Sequence, residues 1–169
     1  GGPVEKLIDG RVVVESPSPG SDGAFAVLAS TASTLPEVHA LENGHLRKLT
    51  RHNDEWLTGR LLGTTEDFTS TSKDGTEVHG LIVKPPTYHA GQKYPTLLRI
   101  HGGPNGQDAH SFSFERELFA ANGYVVVSVN YRRSNGRGSV YQKAIHADWG
   151  NKGDVDLLGA MDHVQKIRL

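Results

Sequence analysis

Residues 95–104 read Pro-Thr-Leu-Leu-Arg-Ile-His-Gly-Gly-Pro (PTLLRIHGGP). The run from Thr96 to Ile100 is apolar apart from Arg99 and leads straight into His101, Gly102, Gly103 and Pro104. Such a short apolar run predicts a strand of a parallel sheet, buried on both faces. A second run, Tyr124 to Val129, ends in Asn130-Tyr131-Arg132-Arg133-Ser134-Asn135-Gly136-Arg137-Gly138-Ser139. Two buried strands that both end in glycine-bearing loops predict an α/β fold with a binding edge. In open α/β sheets ligands sit outside the carboxyl ends of the strands.

Outward from these strands the pattern alternates. Phe112, Phe114, Leu118 and Phe119 recur at helical spacing, and Asn122-Gly123 is a stop signal. Tyr141 to Ala147 reads as a short helix. Asp154 to Ile167 is the clearest one, with Leu157, Leu158, Met161, Val164 and Ile167 as its apolar stripe. Asp154 and Asp156 stand in its first turn, and Lys166 and Arg168 in its last, which suits the helix dipole. This order predicts right-handed crossovers and a growing parallel sheet. Before it, Phe68–Thr71 and Val78–Val83 predict a hairpin around Asp74-Gly75, closed by Lys84-Pro85-Pro86.

Residues 1–58 have a different texture. Arg11–Glu15, Ala24–Ala29, Glu37–Leu41 and Leu46–Thr50 read as strands, with turn chemistry at Ser16–Gly23 and Asn43-Gly44. Four strands in roughly 45 residues fit one blade of a β-propeller, and equally a small β-meander. The expected division is a blade-like segment over 1–58 and an α/β segment over 59–169.

Composition narrows the function classes. At 169 residues the chain suits one domain or one and a part. A net charge of −1 gives no reason to expect nucleic acid or an anionic membrane as partner. Arg132, Arg133 and Arg137 form the densest basic group, but no aromatic platform accompanies them. Cysteine is absent, which excludes disulfides and thiolate chemistry. No apolar run reaches the roughly 20 residues of a membrane helix, and Pro3, Glu5 and Asp9 stand where a signal peptide would need apolar residues. A soluble protein follows, with the compartment open between cytoplasmic and periplasmic or secreted. The start at Gly1-Gly2 without methionine suggests processing or a piece of something longer.

Four groups of residues bear on chemistry. His101-Gly102-Gly103-Pro104 reads as half of an oxyanion hole, because glycine lets backbone N–H groups approach a developing negative charge closely. Pro104 has no N–H, so Gly102 and Gly103 would be the donors; the alternative is an ordinary tight turn. Gly136-Arg137-Gly138 fails as a dinucleotide loop, since Tyr141 stands where the third glycine is required. The nine histidines show no metal-ligand spacing, so no metal or cofactor is expected. Asp154 and Asp156 read either as catalytic carboxylates or as helix-start residues, and Arg132 is placed to pair with one of them.

Taken together, these elements resemble the prolyl oligopeptidase family of serine peptidases, in its acylaminoacyl-peptidase-like and dipeptidyl-peptidase-like branches. Glu37–Leu41 with Arg47–Thr50 is similar to the last propeller blade, and Phe68–Pro86 to the entry hairpin of the catalytic domain. Lys93-Tyr94-Pro95, HGGPNGQ (101–107), NYRRSNGRGS (130–139) and Asp148-Trp149-Gly150 match in order and spacing. The resemblance implies an incomplete α/β-hydrolase sheet after a propeller blade. It implies an oxyanion N–H from Gly103, with Gly102 shaping the turn, and a pocket lined by His101, Tyr131, Arg132 and Arg133. His101 stands where the dipeptidyl-peptidase branch carries tyrosine, and Arg133 where glycine is common.

In the family the Gly-x-Ser-x-Gly nucleophile elbow and the triad Asp and His come later in the chain. No serine here sits in such a frame, so the expectation is a peptidase fragment without a nucleophile, inert by itself and poorly soluble. Its expected partners are a peptide or acyl-peptide substrate and the remainder of a parent polypeptide. The rival readings are a non-catalytic binding module on a hydrolase scaffold and a phosphate binder at the Gly136 loop.

Overall fold

The computed structural model describes residues 2–21, 23–103, 105–146, 148 and 151–167. Pro104, Ala147, Trp149, Gly150 and Arg168, all named above, lie outside the described residues. The chain forms two compact units: residues 1–60 with 110–113, and residues 61–109 with 114–169.

The first unit holds four antiparallel strands in chain order: β1 (Val13–Pro19), β2 (Phe25–Thr31), β3 (Thr34–Glu42) and β4 (His45–Lys48). Strand β1 corrects the reading of Ser16–Gly23 as a turn. Ser16 to Pro19 pair with Leu28 to Phe25 after a register shift between Val14 and Ser16. Pro17 and Pro19 are tolerated because β1 lies at the sheet edge, where a missing N–H breaks no inner ladder. Asn43 and Gly44 join β3 to β4 as expected.

A one-turn helix, α1 (Asp54–Leu57), was not expected. Buried Glu37 organises its start, accepting from the Asn53 backbone N–H at 2.7 Å and from the Thr50 hydroxyl. The Thr50 hydrogen bond leads the interactions that pull the Glu37 carboxyl down to about 2. Trp56 packs edge-on to Phe112 at 6.1 Å, which ties residues 110–113 to this unit.

The second unit holds β5 (Thr64–Thr71), β6 (Glu77–Lys84), β7 (Thr96–Arg99) and β8 (Val125–Asn130), in the order β5-β6-β8-β7. Its helices are α2 (Phe114–Ala121), α3 (Gly138–Lys143) and α4 (Lys152–Lys166). The sheet is mixed: β7 runs parallel to β8 and β5 pairs antiparallel with β6, as the sequence predicts, and β6 also runs antiparallel to β8, a pairing the sequence did not indicate. The hairpin reverses the chain at Asp74-Gly75, and the apolar run of β6 then supplies β8 with an antiparallel neighbour.

The strand buried on both faces is β8, all six of whose residues are buried. By contrast β7 is half-buried and lies at the sheet edge among the described residues. The two-residue period of β8 separates two cores. Val125, Val127 and Val129 pack with Phe68, Val78 and Ile82 against Leu157, Ala160 and Val164 of α4. Val126 packs with Val83 against Ala120 of α2. Phe68 lies directly over Gly80, its cross-strand partner; a β-carbon there would come within 2.3 Å of the ring.

Both helices turn differently from the sequence reading. In α2 the inward residues are Arg116, Glu117 and Ala120, while Phe114, Leu118 and Phe119 are exposed. Glu117 faces inward because it accepts the Gly63 N–H at 2.7 Å. In α4 the buried stripe is Gly153, Asp156, Leu157, Ala160 and Val164, leaving Leu158 and Ile167 outside. No helix among the described residues is long and apolar enough to cross a membrane.

Candidate active-site edge

Because β7 and β8 run parallel, their carboxyl ends open on the same edge of the sheet. The loop after β7 carries His101, Gly102 and Gly103; the loop after β8 carries Tyr131 to Arg137. The two are stitched together. The His101 ring stacks on the Tyr131 ring, with centroids 4.7 Å apart and planes 17° from parallel. The Tyr131 hydroxyl donates to the His101 carbonyl at 2.9 Å. Ser134 Oγ donates to the Tyr131 carbonyl at 2.7 Å and lies 2.8 Å from His101 Nε2. With its one proton committed, Ser134 Oγ accepts from His101 Nε2, and His101 Nδ1 lies 3.4 Å from the Gly102 carbonyl.

Further along, the Asn135 N–H donates to the Gly106 carbonyl at 2.9 Å, and the Gly106 N–H to the Gly103 carbonyl at 2.6 Å. Asn130, at the end of β8, exchanges two bonds with the Asp108 backbone, at 2.7 and 2.8 Å.

Gly102 and Gly103 are exposed. Gly103 has φ 48°, a left-handed conformation, whereas Gly102 does not. Among the described residues neither amide donates to an acceptor. The arrangement therefore has two adjacent backbone donors available beside a fixed loop.

Arg132 is placed otherwise than the pocket expectation. It is 5% exposed and its guanidinium is spent on carboxylates. Its Nε and Nη2 reach Asp156 at 3.0 and 2.7 Å, its backbone N–H donates to Asp156 at 2.8 Å, and its Nη1 bonds Asp74. Ser72 also donates to Asp156. Asp156 is fully buried, so its place is a buried ion pair and not the helix dipole; it is the carboxylate that Arg132 pairs with, while Asp154 stays exposed in the first turn. The hydrogen bond to Asp156 leads the interactions that raise the Arg132 pKa, and the bond from Arg132 leads those that pull Asp74 down to about 2.

Tyr131 is half-buried, and burial pushes its hydroxyl up, which keeps it a donor. Burial does the same to Tyr141, whose hydroxyl donates to the Asn130 carbonyl at 2.7 Å. Arg133 has φ 87°, unusual for any residue with a side chain; its N–H donates to the Tyr141 carbonyl at 3.0 Å and its Nε to Asn105 at 3.4 Å.

The Gly136 loop is no open cradle. A β-carbon on Gly136 would lie 2.4 Å from the Gln107 amide oxygen, so the place is taken by a side chain of the neighbouring loop. No group of three or more His, Asp or Glu among the described residues is placed to hold a metal ion. Sequence reasoning missed Ser134, Asn130 and Ser72. The signal for Asn130 was present: a polar residue closing a wholly apolar strand needs buried partners.

The family model for the prolyl oligopeptidase family matches residues 110–168. The uncharacterized peptidase YuxL of Bacillus subtilis (strain 168) is 32% identical over 131 residues, which are 77% of this chain and 20% of that protein. The acylaminoacyl peptidase of Pyrococcus horikoshii superposes with a TM-score of 0.84 at 26% identity, over 94% of this chain and 25% of that one. An acylaminoacyl peptidase in complex with Z-Gly-Gly-Phe-chloromethyl ketone gives 0.83 at 26% identity, over 94% of this chain and 25% of that one. The chain thus spans about a fifth to a quarter of the length of these relatives. Family model, sequence relatives and solved structures agree: residues 110–168 match the prolyl oligopeptidase family, and the chain as a whole is similar to one segment of its peptidases.

Proposed function

We propose that this chain forms the oxyanion side of a serine-type peptidase that hydrolyses peptide or acyl-peptide bonds through an acyl-enzyme. In this reading residues 1–58 are the last blade of a propeller and residues 59–169 the first part of an α/β-hydrolase domain. Gly102 and Gly103 donate to the carbonyl oxygen as it gains charge in the tetrahedral intermediate. The attacking serine, its histidine base and the orienting aspartate come from sequence that is not among these 169 residues, where no Gly-x-Ser-x-Gly frame occurs.

The observation that carries the reading is the pair of adjacent amides without an acceptor among the described residues, on exposed glycines at the carboxyl end of β7. Donors held ready without internal partners suit a charge that appears only during reaction. The peptide chloromethyl ketone bound to a related acylaminoacyl peptidase supports a peptide as substrate. The buried Arg132 fits a foundation beneath the site, while His101 adjoins the glycines in sequence and Tyr131 bonds the His101 carbonyl.

Fluorophosphonate labelling and hydrolysis of acyl-peptide nitroanilides test the proposal. The full-length polypeptide carrying this segment is expected to label and turn over, and residues 1–169 alone to do neither. A full-length polypeptide that labels with nothing and cleaves nothing would favour a binding module instead.

A further inference from the structure

Gly102 and Gly103 have no means of holding themselves in place. Both are exposed, and a β-carbon built on either would meet nothing within 4 Å. Glycine is also the residue with the most backbone freedom. Donors that stabilise a transition state must nevertheless be fixed before the reaction begins, since reorganising them during the reaction forfeits the gain.

Resting on the function proposed above, we infer that His101, Tyr131 and Ser134 form a closed latch that positions the Gly102–Gly103 amides. Tyr131 and Ser134 are then positioning residues of the oxyanion site and not merely walls of a pocket. Three hydrogen bonds make a ring. The His101 imidazole donates to Ser134 Oγ at 2.8 Å, Ser134 Oγ donates to the Tyr131 carbonyl at 2.7 Å, and the Tyr131 hydroxyl donates back to the His101 carbonyl at 2.9 Å. Each donor is used once, and a closed chain of this kind strengthens its members mutually.

The ring is largely buried and stacked: Ser134 is fully buried, His101 is 8% exposed, Tyr131 is half-buried, and the imidazole lies flat on the phenol ring. It fixes the carbonyl of His101, and so the peptide plane that carries the Gly102 N–H. On the other flank, Gly103 is tied through Gly106 to the Asn135 N–H. The glycine pair is thus clamped from both sides by residues 131–135, themselves anchored through Arg132 to Asp156.

The test uses Tyr131→Phe, which keeps the stacked ring and removes one bond, and Ser134→Ala, which removes two, each in the full-length polypeptide. Misplaced amides weaken transition-state binding and spare the ground state. The expected result is therefore kcat lower by about 10- to 100-fold with KM within about twofold. Hydrogen exchange at the Gly106 and Asn135 amides should rise by about tenfold or more in both variants. The wild-type imidazole should show a proton on Nε2 by nitrogen-15 NMR.

Unchanged kcat with a lowered melting temperature would overturn the inference, since the contacts would then serve the fold alone. Unchanged exchange, or an Nε2 without a proton, would overturn the latch itself. A wild-type polypeptide without any hydrolytic activity would remove the catalytic reading of the glycines, while exchange and NMR would still decide whether the latch exists.

Discussion

Arg132 and Asp156 are the most consequential pair at the residue scale. The carboxylate is fully buried and takes the arginine through its backbone N–H and its guanidinium at once. Removing one partner of such a pair leaves an uncompensated buried charge. Arg132→Ala is therefore expected to lower unfolding free energy by about 3–5 kcal/mol in urea titrations. The same arginine holds Asp74 down to about 2 from an ordinary 3.8. A carboxyl depressed by folding contributes stability above its unfolded pKa and loses it as pH falls through the folded one. Glu37 behaves alike, held down to about 2 from 4.5 by Thr50. The melting temperature should fall between about pH 4.5 and pH 2, and Thr50→Ala should move that loss to higher pH. Arg133 is the converse case. Its φ of 87° favours glycine, so Arg133→Gly is expected to raise unfolding free energy by about 0.5–1 kcal/mol in the same titration.

At the scale of the element, α2 shows how periodicity locates a helix without orienting it. Its spacing marks Phe114, Leu118 and Phe119, yet Ala120 meets Val83 and Val126, with Glu117 bonded to the Gly63 amide beside it. The Ala120 position itself is fully buried against Val83 and Val126. Ala120→Leu is expected to cost about 1–3 kcal/mol by overpacking, while Leu118→Gln should stay within about 0.5 kcal/mol. Equal effects from the two substitutions would contradict the observed face. Helix α4 repeats the lesson by a smaller rotation: Asp156 sits on the buried stripe with Gly153, Leu157, Ala160 and Val164, three and four residues apart. That spacing is visible in the sequence, but an aspartate in it reads as a helix-start residue until Arg132 is brought beneath it.

For the molecule as a whole, β7 has β8 as its one strand neighbour among the described residues. An open edge pairs with other chains. Residues 1–169 expressed alone are expected to self-associate as concentration rises, read by light scattering, and a monomer stable at high concentration would contradict this. The sequence by itself determined the α/β character, the hairpin at Asp74-Gly75, the two apolar strands and the two glycine-bearing loops. Each of these is written in local chemistry: periods of two or 3.6 residues, turn residues and proline stops. The tertiary structure decided the mixed direction of the sheet, the doubly buried place of β8 and the faces of α2 and α4. It also decided that Arg132 serves Asp156 while His101, Tyr131 and Ser134 close on one another. These depend on partners 24 to 33 residues apart in the chain, and no local pattern encodes which buried polar group will meet which.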